Sequence, residues 1–198
     1  KKVVFYKEGD ETGSIYLADA DASNETRLPF VAGNMEWSPD SASIAYQYGK
    51  SDSDLFLYTL ETGKTTDLVR NPSFDADPSF SPDGQRIAFV SGRDGNAEIY
   101  SENIDGTDAR RLTNHPARDA FPTFSPDGTQ IVFNSNREDE KLDVYIMNAD
   151  GSDVRRGRRR VGRAAHRLRR RGPWRARPPP SRTSPPLARA IPGVALEE

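Results

Sequence analysis

The sequence predicts an all-β protein made of tandem four-stranded antiparallel units, and three observations carry that prediction. A motif recurs: Trp37-Ser38-Pro39-Asp40, Phe80-Ser81-Pro82-Asp83-Gly84 and Phe124-Ser125-Pro126-Asp127-Gly128 stand 43 and 44 residues apart. Each is followed by an apolar triplet at the same spacings, Ile44-Ala45-Tyr46, Ile87-Ala88-Phe89 and Ile131-Val132-Phe133. β-Branched and aromatic runs bounded by Gly, Asp, Asn and Pro recur between them, with no sustained helical periodicity. A four-stranded unit of about 40 to 45 residues in tandem is how a β-propeller blade appears in sequence. One blade cannot bury both faces of its sheet, so neighbours stacked around an axis supply the missing contact. The expected fold is therefore an incomplete β-propeller of about three and a half blades.

Taken in order, residues 1–36 read as a partial blade, with Val3-Val4-Phe5, Ile15-Tyr16-Leu17 and Arg27-Leu28 in the repeat's strand positions. Residues 37–79 form a blade whose second and third strands carry the triplet at Ile44 and the pair Leu55-Phe56. Residues 80–123 form the most complete blade. Its later strands are Gln85 to Val90, Glu98 to Asn103 and Arg110 to Thr113, joined by the turns Arg93-Asp94-Gly95-Asn96 and Asp105-Gly106. Residues 124–156 form a further partial blade, with Val144-Tyr145 in its third strand. In each Ser-Pro-Asp-Gly turn, Pro sets φ for the first central position and Gly accepts the left-handed conformation that closes the hairpin. The unit at Trp37 carries Ser41 in the glycine's place, so that turn is expected to be looser or strained.

These units resemble the WD-like repeats of TolB-type β-propellers, whose blades carry W/F-S-P-D-G, I-A-F, D/E-I-Y, N-x-D-G-S/T and R-R-L-T. The stretch FSPDGQRIAFVSGRDGNAEIYSENIDGTDARRLT, Phe80 to Thr113, matches nearly throughout, and the resemblance covers residues 1 to about 156. It implies a non-enzymatic, periplasmic or extracellular scaffold that docks protein partners, among them an envelope lipoprotein of the Tol-Pal system. The second reading comes from similar propellers that precede the hydrolase domain of prolyl-oligopeptidase-like serine peptidases and gate substrate entry. A downstream G-x-S-x-G would separate the two, and this chain contains none.

Charge divides the chain at the same place as the repeat. Residues up to Asp153 hold 28 Asp plus Glu against 14 Lys plus Arg, whereas Val154 to Glu198 hold 14 Arg, no Lys and two Glu. Asn148-Ala149-Asp150-Gly151-Ser152-Asp153 repeats Asn103 to Asp108, and agreement stops after Arg156. From Gly157 onward come 12 Arg, 7 Pro, 6 Ala and 4 Gly, residues with GC-rich codons, with no Lys, Asp, Asn, Phe or Tyr. The composition points to a GC-rich reading frame shifted near Arg156, and residues 157–198 are expected to be disordered or poorly packed. A basic nucleic-acid arm and a Pro-rich linker are the alternatives. The mid-motif break disfavours both, so nucleic acid is not an expected partner. Lys1-Lys2-Val3-Val4-Phe5 reads as mid-strand, so the natural start is expected to lie upstream, and the parent is expected to have six or more blades. An open arc leaves apolar blade faces and strand edges exposed, which predicts poor solubility or self-association if the arc is made alone.

Chemistry-bearing motifs are scarce. There is no cysteine, and the histidines are His115 and His166. No catalytic set, metal site or cofactor is therefore expected. Gly63-Lys64-Thr65 and Gly49-Lys50-Ser51 lack the earlier Gly and following helix of a phosphate loop and read as hairpin turns. Asp19-Ala20-Asp21 and Asp150-Gly151-Ser152-Asp153 lack the alternating ligands of a calcium loop. No run approaches the roughly 18 apolar residues of a membrane span. Loop residues remain as binding candidates: Asp75, Asp77, Arg118 and Asp119 between blades, and Arg93 and Asp94 between second and third strands. The bland alternative for the Asp residues is local backbone capping.

Overall fold

A computed structural model describes residues 1–6, 14–49, 52–69, 71–138 and 141–157, all within one compact unit, Lys1–Arg158. The expectations for residues 158–198, for His166 and for Lys50-Ser51 lie outside them. Among the described residues there are fifteen strands and no helix. They make four antiparallel sheets in chain order: β1 (Lys2–Tyr6), β2 (Ser14–Asp19) and β3 (Thr26–Val31); β4 (Met35–Trp37), β5 (Ser43–Tyr48), β6 (Asp54–Thr59) and β7 (Lys64–Val69); β8 (Asp75–Phe80), β9 (Arg86–Ser91), β10 (Glu98–Asn103) and β11 (Arg110–Arg111); and β12 (Asp119–Phe124), β13 (Gln130–Ser135), β14 (Asp143–Asn148) and β15 (Arg155–Arg156). Strand follows strand in each sheet, the meander of a propeller blade. The first sheet has three strands and the others four, so the all-β, incomplete propeller read from the repeat is the fold.

The core is three inter-sheet layers, and the repeat's alternation builds each one. Along β5, Ile44 and Tyr46 turn toward the first sheet while Ala45 turns toward the third. The same division places Ile87 and Phe89 against the second sheet and Ala88 against the fourth. Each layer thus joins small aliphatic residues of one sheet to an isoleucine and an aromatic pair of the next. Cross-strand pairing fixes that aromatic pair in every sheet: Phe5 with Tyr16, Tyr46 with Phe56, Phe89 with Tyr100 and Phe133 with Tyr145, with centroids 5.6–6.0 Å apart.

The Ser-Pro-Asp-Gly turns are tied by more than Pro and Gly. In the third sheet Ser81 Oγ donates to Asp83 Oδ1 at 2.6 Å and accepts from the Arg86 amide at 2.9 Å, while Asp83 also accepts from the Gln85 amide at 3.0 Å. Ser38 with Asp40 and Ser125 with Asp127 repeat these bonds. Gly84 and Gly128 close their turns at φ 70° and 71°, and Ser41 is held at φ 60°. The Ser41 turn is therefore as tight as the others, with a side chain carried in the left-handed region.

Candidate functional site

The first strands of successive sheets lie side by side, with β8 next to both β4 and β12. The stretches read from sequence as loops, Asp75 to Pro78 and Asp119 to Pro122, fall inside β8 and β12. Pro is tolerated there because each strand is bulged, between Ala76 and Ser79 and between Ala120 and Thr123, where no ladder amide is required. The residue before each Pro has left-handed backbone, Asp77 at φ 52° and Phe121 at φ 54°. Asp tolerates that conformation; for Phe it is a strained outlier.

Asn34, Asp77 and Phe121 occupy equivalent repeat positions, 43 and 44 residues apart, and are linked across the three sheets. The Asn34 amide donates to Asp77 Oδ1, and Asp77 Oδ2 accepts from the Phe121 backbone amide at 3.4 Å. Burial pushes the Asp77 carboxyl up, opposed by those bonds and by the charge of Arg118. Around them lies a groove of about 350 Å³ lined by Asn34, Gln47, Ser53, Asp77, Arg118 and Phe121, with Phe74 and Ala76 beneath. Phe121 is 49% exposed. A second ring of bonds runs one pleat further on: Glu36 accepts from the Phe80 amide at 3.1 Å and Ser79 Oγ from the Phe124 amide at 3.4 Å. Burial pushes the Glu36 carboxyl up to about 7.

The other candidates form ion pairs within their own blades. Asp75 is fully buried and faces Arg93 at 3.4 Å; Arg93 donates to Ser91 Oγ at 2.8 Å and its guanidinium lies over the Phe89 and Tyr100 rings, 5.5 and 4.6 Å from their centroids. Burial raises the Asp75 carboxyl to about 6 against the pull of Ser91 and Arg93. The fourth sheet repeats the device 44 residues on: buried Asp119 pairs with Arg137 at 2.8 Å, and Arg137 lies over Phe133 and Tyr145. Asp94 accepts from the Tyr100 hydroxyl and meets Arg111 at 3.1 Å. The structure thus brings Asp75 to Arg93, and Asp77 to Arg118, and gives Asp94 and Asp119 partners outside the candidate set. Arg137, Asn34 and Phe121 were missed as partners, although the 44-residue register of Arg93 and Arg137 could have found the first.

His115 is likewise structural. Its amide donates to Glu98, a fully buried carboxylate that also takes the Thr113 hydroxyl at 2.5 Å and Arg111 at 3.0 Å. Asp21 and Asp150 cap the amides of Ser23 and Ser152; Gly63 closes the β6–β7 hairpin by donating its amide to the Thr59 carbonyl, and Lys64 and Thr65 begin β7. Among the described residues no three His, Asp or Glu side chains converge as a metal set, and no helix is long and apolar enough to cross a membrane. A larger cavity of about 750 Å³ lies between the first two sheets. Its rings, Phe30, Tyr46, Phe56 and Tyr48, pack on one another, and its charged member Arg27 donates to Ser14 Oγ at 2.6 Å.

Comparison with known proteins agrees with this architecture. The family model described as the TolB β-propeller domain matches residues 2–165. The Tol-Pal system protein TolB of Bordetella pertussis is 31% identical over 159 residues, covering 54% of this chain and 36% of that protein. An uncharacterized peptidase, YuxL of Bacillus subtilis, is 32% identical over 106 residues, covering 52% of this chain and 15% of its own length. The crystal structure of TolB from Acinetobacter baumannii superposes with a TM-score of 0.65 at 26% identity, over 72% of this chain and 37% of that one. The chain therefore spans about a third or less of the length of these curated relatives.

Proposed function

The chain belongs to the TolB β-propeller family, and from that premise we propose that it is a non-enzymatic scaffold that binds a protein partner at the groove of Asn34, Asp77, Arg118 and Phe121. The observation that carries the reading is Phe121: an aromatic side chain, half exposed on a strained left-handed backbone, beside a carboxylate and a guanidinium. Exposed aromatic anchors flanked by paired polar groups dominate the energy of protein interfaces. Strain of this kind persists only where the surroundings impose it. The reading divides the six candidates: Asp77 and Arg118 contact the partner, while Asp75, Arg93, Asp94 and Asp119 hold the blades that present them.

The same family membership supports an extracytoplasmic place, periplasmic or extracellular, and an envelope lipoprotein of the Tol-Pal system as the partner. The test is titration calorimetry of the chain against the soluble domain of that lipoprotein. Phe121→Ala is expected to weaken binding at least about tenfold, which is about 1.4 kcal/mol, and Arg110→Ala on β11 to leave it unchanged. Equal losses from both substitutions, or no binding, would contradict the reading. The peptidase resemblance supports a second one, a propeller that gates a hydrolase domain. Reading the intact gene for a downstream G-x-S-x-G decides between them.

A further inference from the structure

The aromatic pairs of the second, third and fourth sheets occupy one repeat position, and the second differs from the others in what surrounds it. In the third and fourth sheets a guanidinium covers the pair, Arg93 over Phe89 and Tyr100 and Arg137 over Phe133 and Tyr145. Two anchors hold each arginine. One is a serine hydroxyl, Ser91 at 2.8 Å or Ser135 at 3.0 Å, and the other is a completely buried aspartate, Asp75 or Asp119. In the second sheet the serine position holds Tyr48 and the aspartate position holds Ala32, so both anchors are replaced. The arginine's own position there is Lys50, which lies outside the described residues.

Beside this second pair, Tyr46 and Phe56, lies the cavity of about 750 Å³ between the first two sheets. Phe30 of β3 stacks on Tyr46 with centroids 4.0 Å apart, and Tyr48, 53% exposed, meets Phe56 edge-on at 6.2 Å. The walls are therefore flat and aromatic. Arg27 lines the cavity as an exposed residue, one terminal nitrogen of its guanidinium donating to Ser14 Oγ. Among the described residues that line the cavity there is no Asp or Glu. That decides the charge of the ligand. Arg93 and Arg137 are held over their rings because buried carboxylates answer their charge. A cation entering here would meet Arg27 and no carboxylate, whereas an anion gains a charge-assisted pair with the guanidinium. Ring faces and edges in turn favour an aromatic body, and mostly apolar walls with one convergent charged group are typical of small-molecule sites. We propose that this cavity binds a small aromatic acid, its ring packed among Phe30, Tyr48 and Phe56 and its carboxylate paired with Arg27. The site shares no residue with the groove at Phe121 and does not rest on the partner-binding reading.

The experiment is titration calorimetry of the full chain with naphthoate in about 0.3 M salt, which screens unspecific attraction of the acid to the Arg-rich end. Saturable binding at one site is expected, tighter than that of three controls. Naphthalenemethanol keeps the rings without the charge, cyclohexanecarboxylate keeps the charge without an aromatic ring, and naphthylmethylammonium reverses the charge. Arg27→Gln is expected to weaken naphthoate about tenfold or more and to remove its advantage over the alcohol. Arg27→Lys, which keeps the charge but not the planar fork, is expected to weaken it less. Tyr48→Ala, at an exposed ring, is expected to weaken the acid and the alcohol alike. A wild type that does not bind naphthoate would overturn the proposal, as would one that binds the ammonium compound as tightly. An advantage of the acid over the alcohol that survives Arg27→Gln would overturn it too, and if Lys50→Gln then removes that advantage, the acid belongs to Lys50.

Discussion

Ser41, Phe121 and Arg137 show how single positions depart from the repeat or complete it. Ser41 keeps the glycine geometry at φ 60°, so Ser41→Gly removes a Cβ penalty and is expected to stabilise the protein by about 0.5–1 kcal/mol in urea unfolding. Unchanged or lower stability would show that the serine is not strained. Arg137 neutralises buried Asp119 and covers two rings. Arg137→Ala would strand a buried carboxylate, and the expected loss is about 3 kcal/mol or more. Arg110→Ala, in an exposed pair with Asp108, should cost less than about 0.5 kcal/mol in the same assay. Asp119 and its Arg lie 18 residues apart and only the folded β12–β13 ladder joins them, so the one signal of the pairing in the sequence is the 44-residue register that Arg137 shares with Arg93.

At the scale of strands and turns, much was legible. The second and third strands of each blade follow from apolar triplets and aromatic pairs whose period-two alternation leaves one packing arrangement. The first strands were legible only at their ends, as in Pro122-Thr123-Phe124; their beginnings at Asp75 and Asp119 read as loop until the bulges that admit Pro78 and Pro122 are seen. Those strand beginnings carry Asp75 and Asp119, which the structure buries. The layer between the second and third sheets holds a pH response. Burial raises Asp75 to about 6, and Glu36 and Glu102 to about 7, with Arg93 and Arg86 opposing at Glu102. A raised carboxyl favours the folded state fully below its unfolded pKa, near 4, and that contribution is lost as pH rises through 6 to 7. The urea midpoint is therefore expected to fall between pH 5 and pH 8, and Glu102→Gln to reduce that fall. A midpoint that rises over this interval, or a fall that Glu102→Gln leaves unchanged, would contradict the assignment. The turn carboxylates act in the opposite direction: hydrogen bonds hold Asp83 low and Asp127 at about 2, so their contribution disappears only in strong acid.

For the whole molecule, the repeat specifies the blades, and the blades determine which residues meet at the inner strands. Asn34, Asp77 and Phe121 are far apart in sequence and chemically unlike, so no local motif marks them. Their common repeat position makes them neighbours. A rigid sheet stack that presents a strained aromatic beside paired charges is suited to binding. Hydrogen–deuterium exchange of the chain with and without the soluble Tol-Pal lipoprotein domain tests this account most directly, because it locates a contact as well as detecting one. Slowed exchange at residues 76–79 and 118–123, with β7 and β11 unchanged, is the predicted footprint. Protection confined to the outer strands, or no change anywhere, would contradict it.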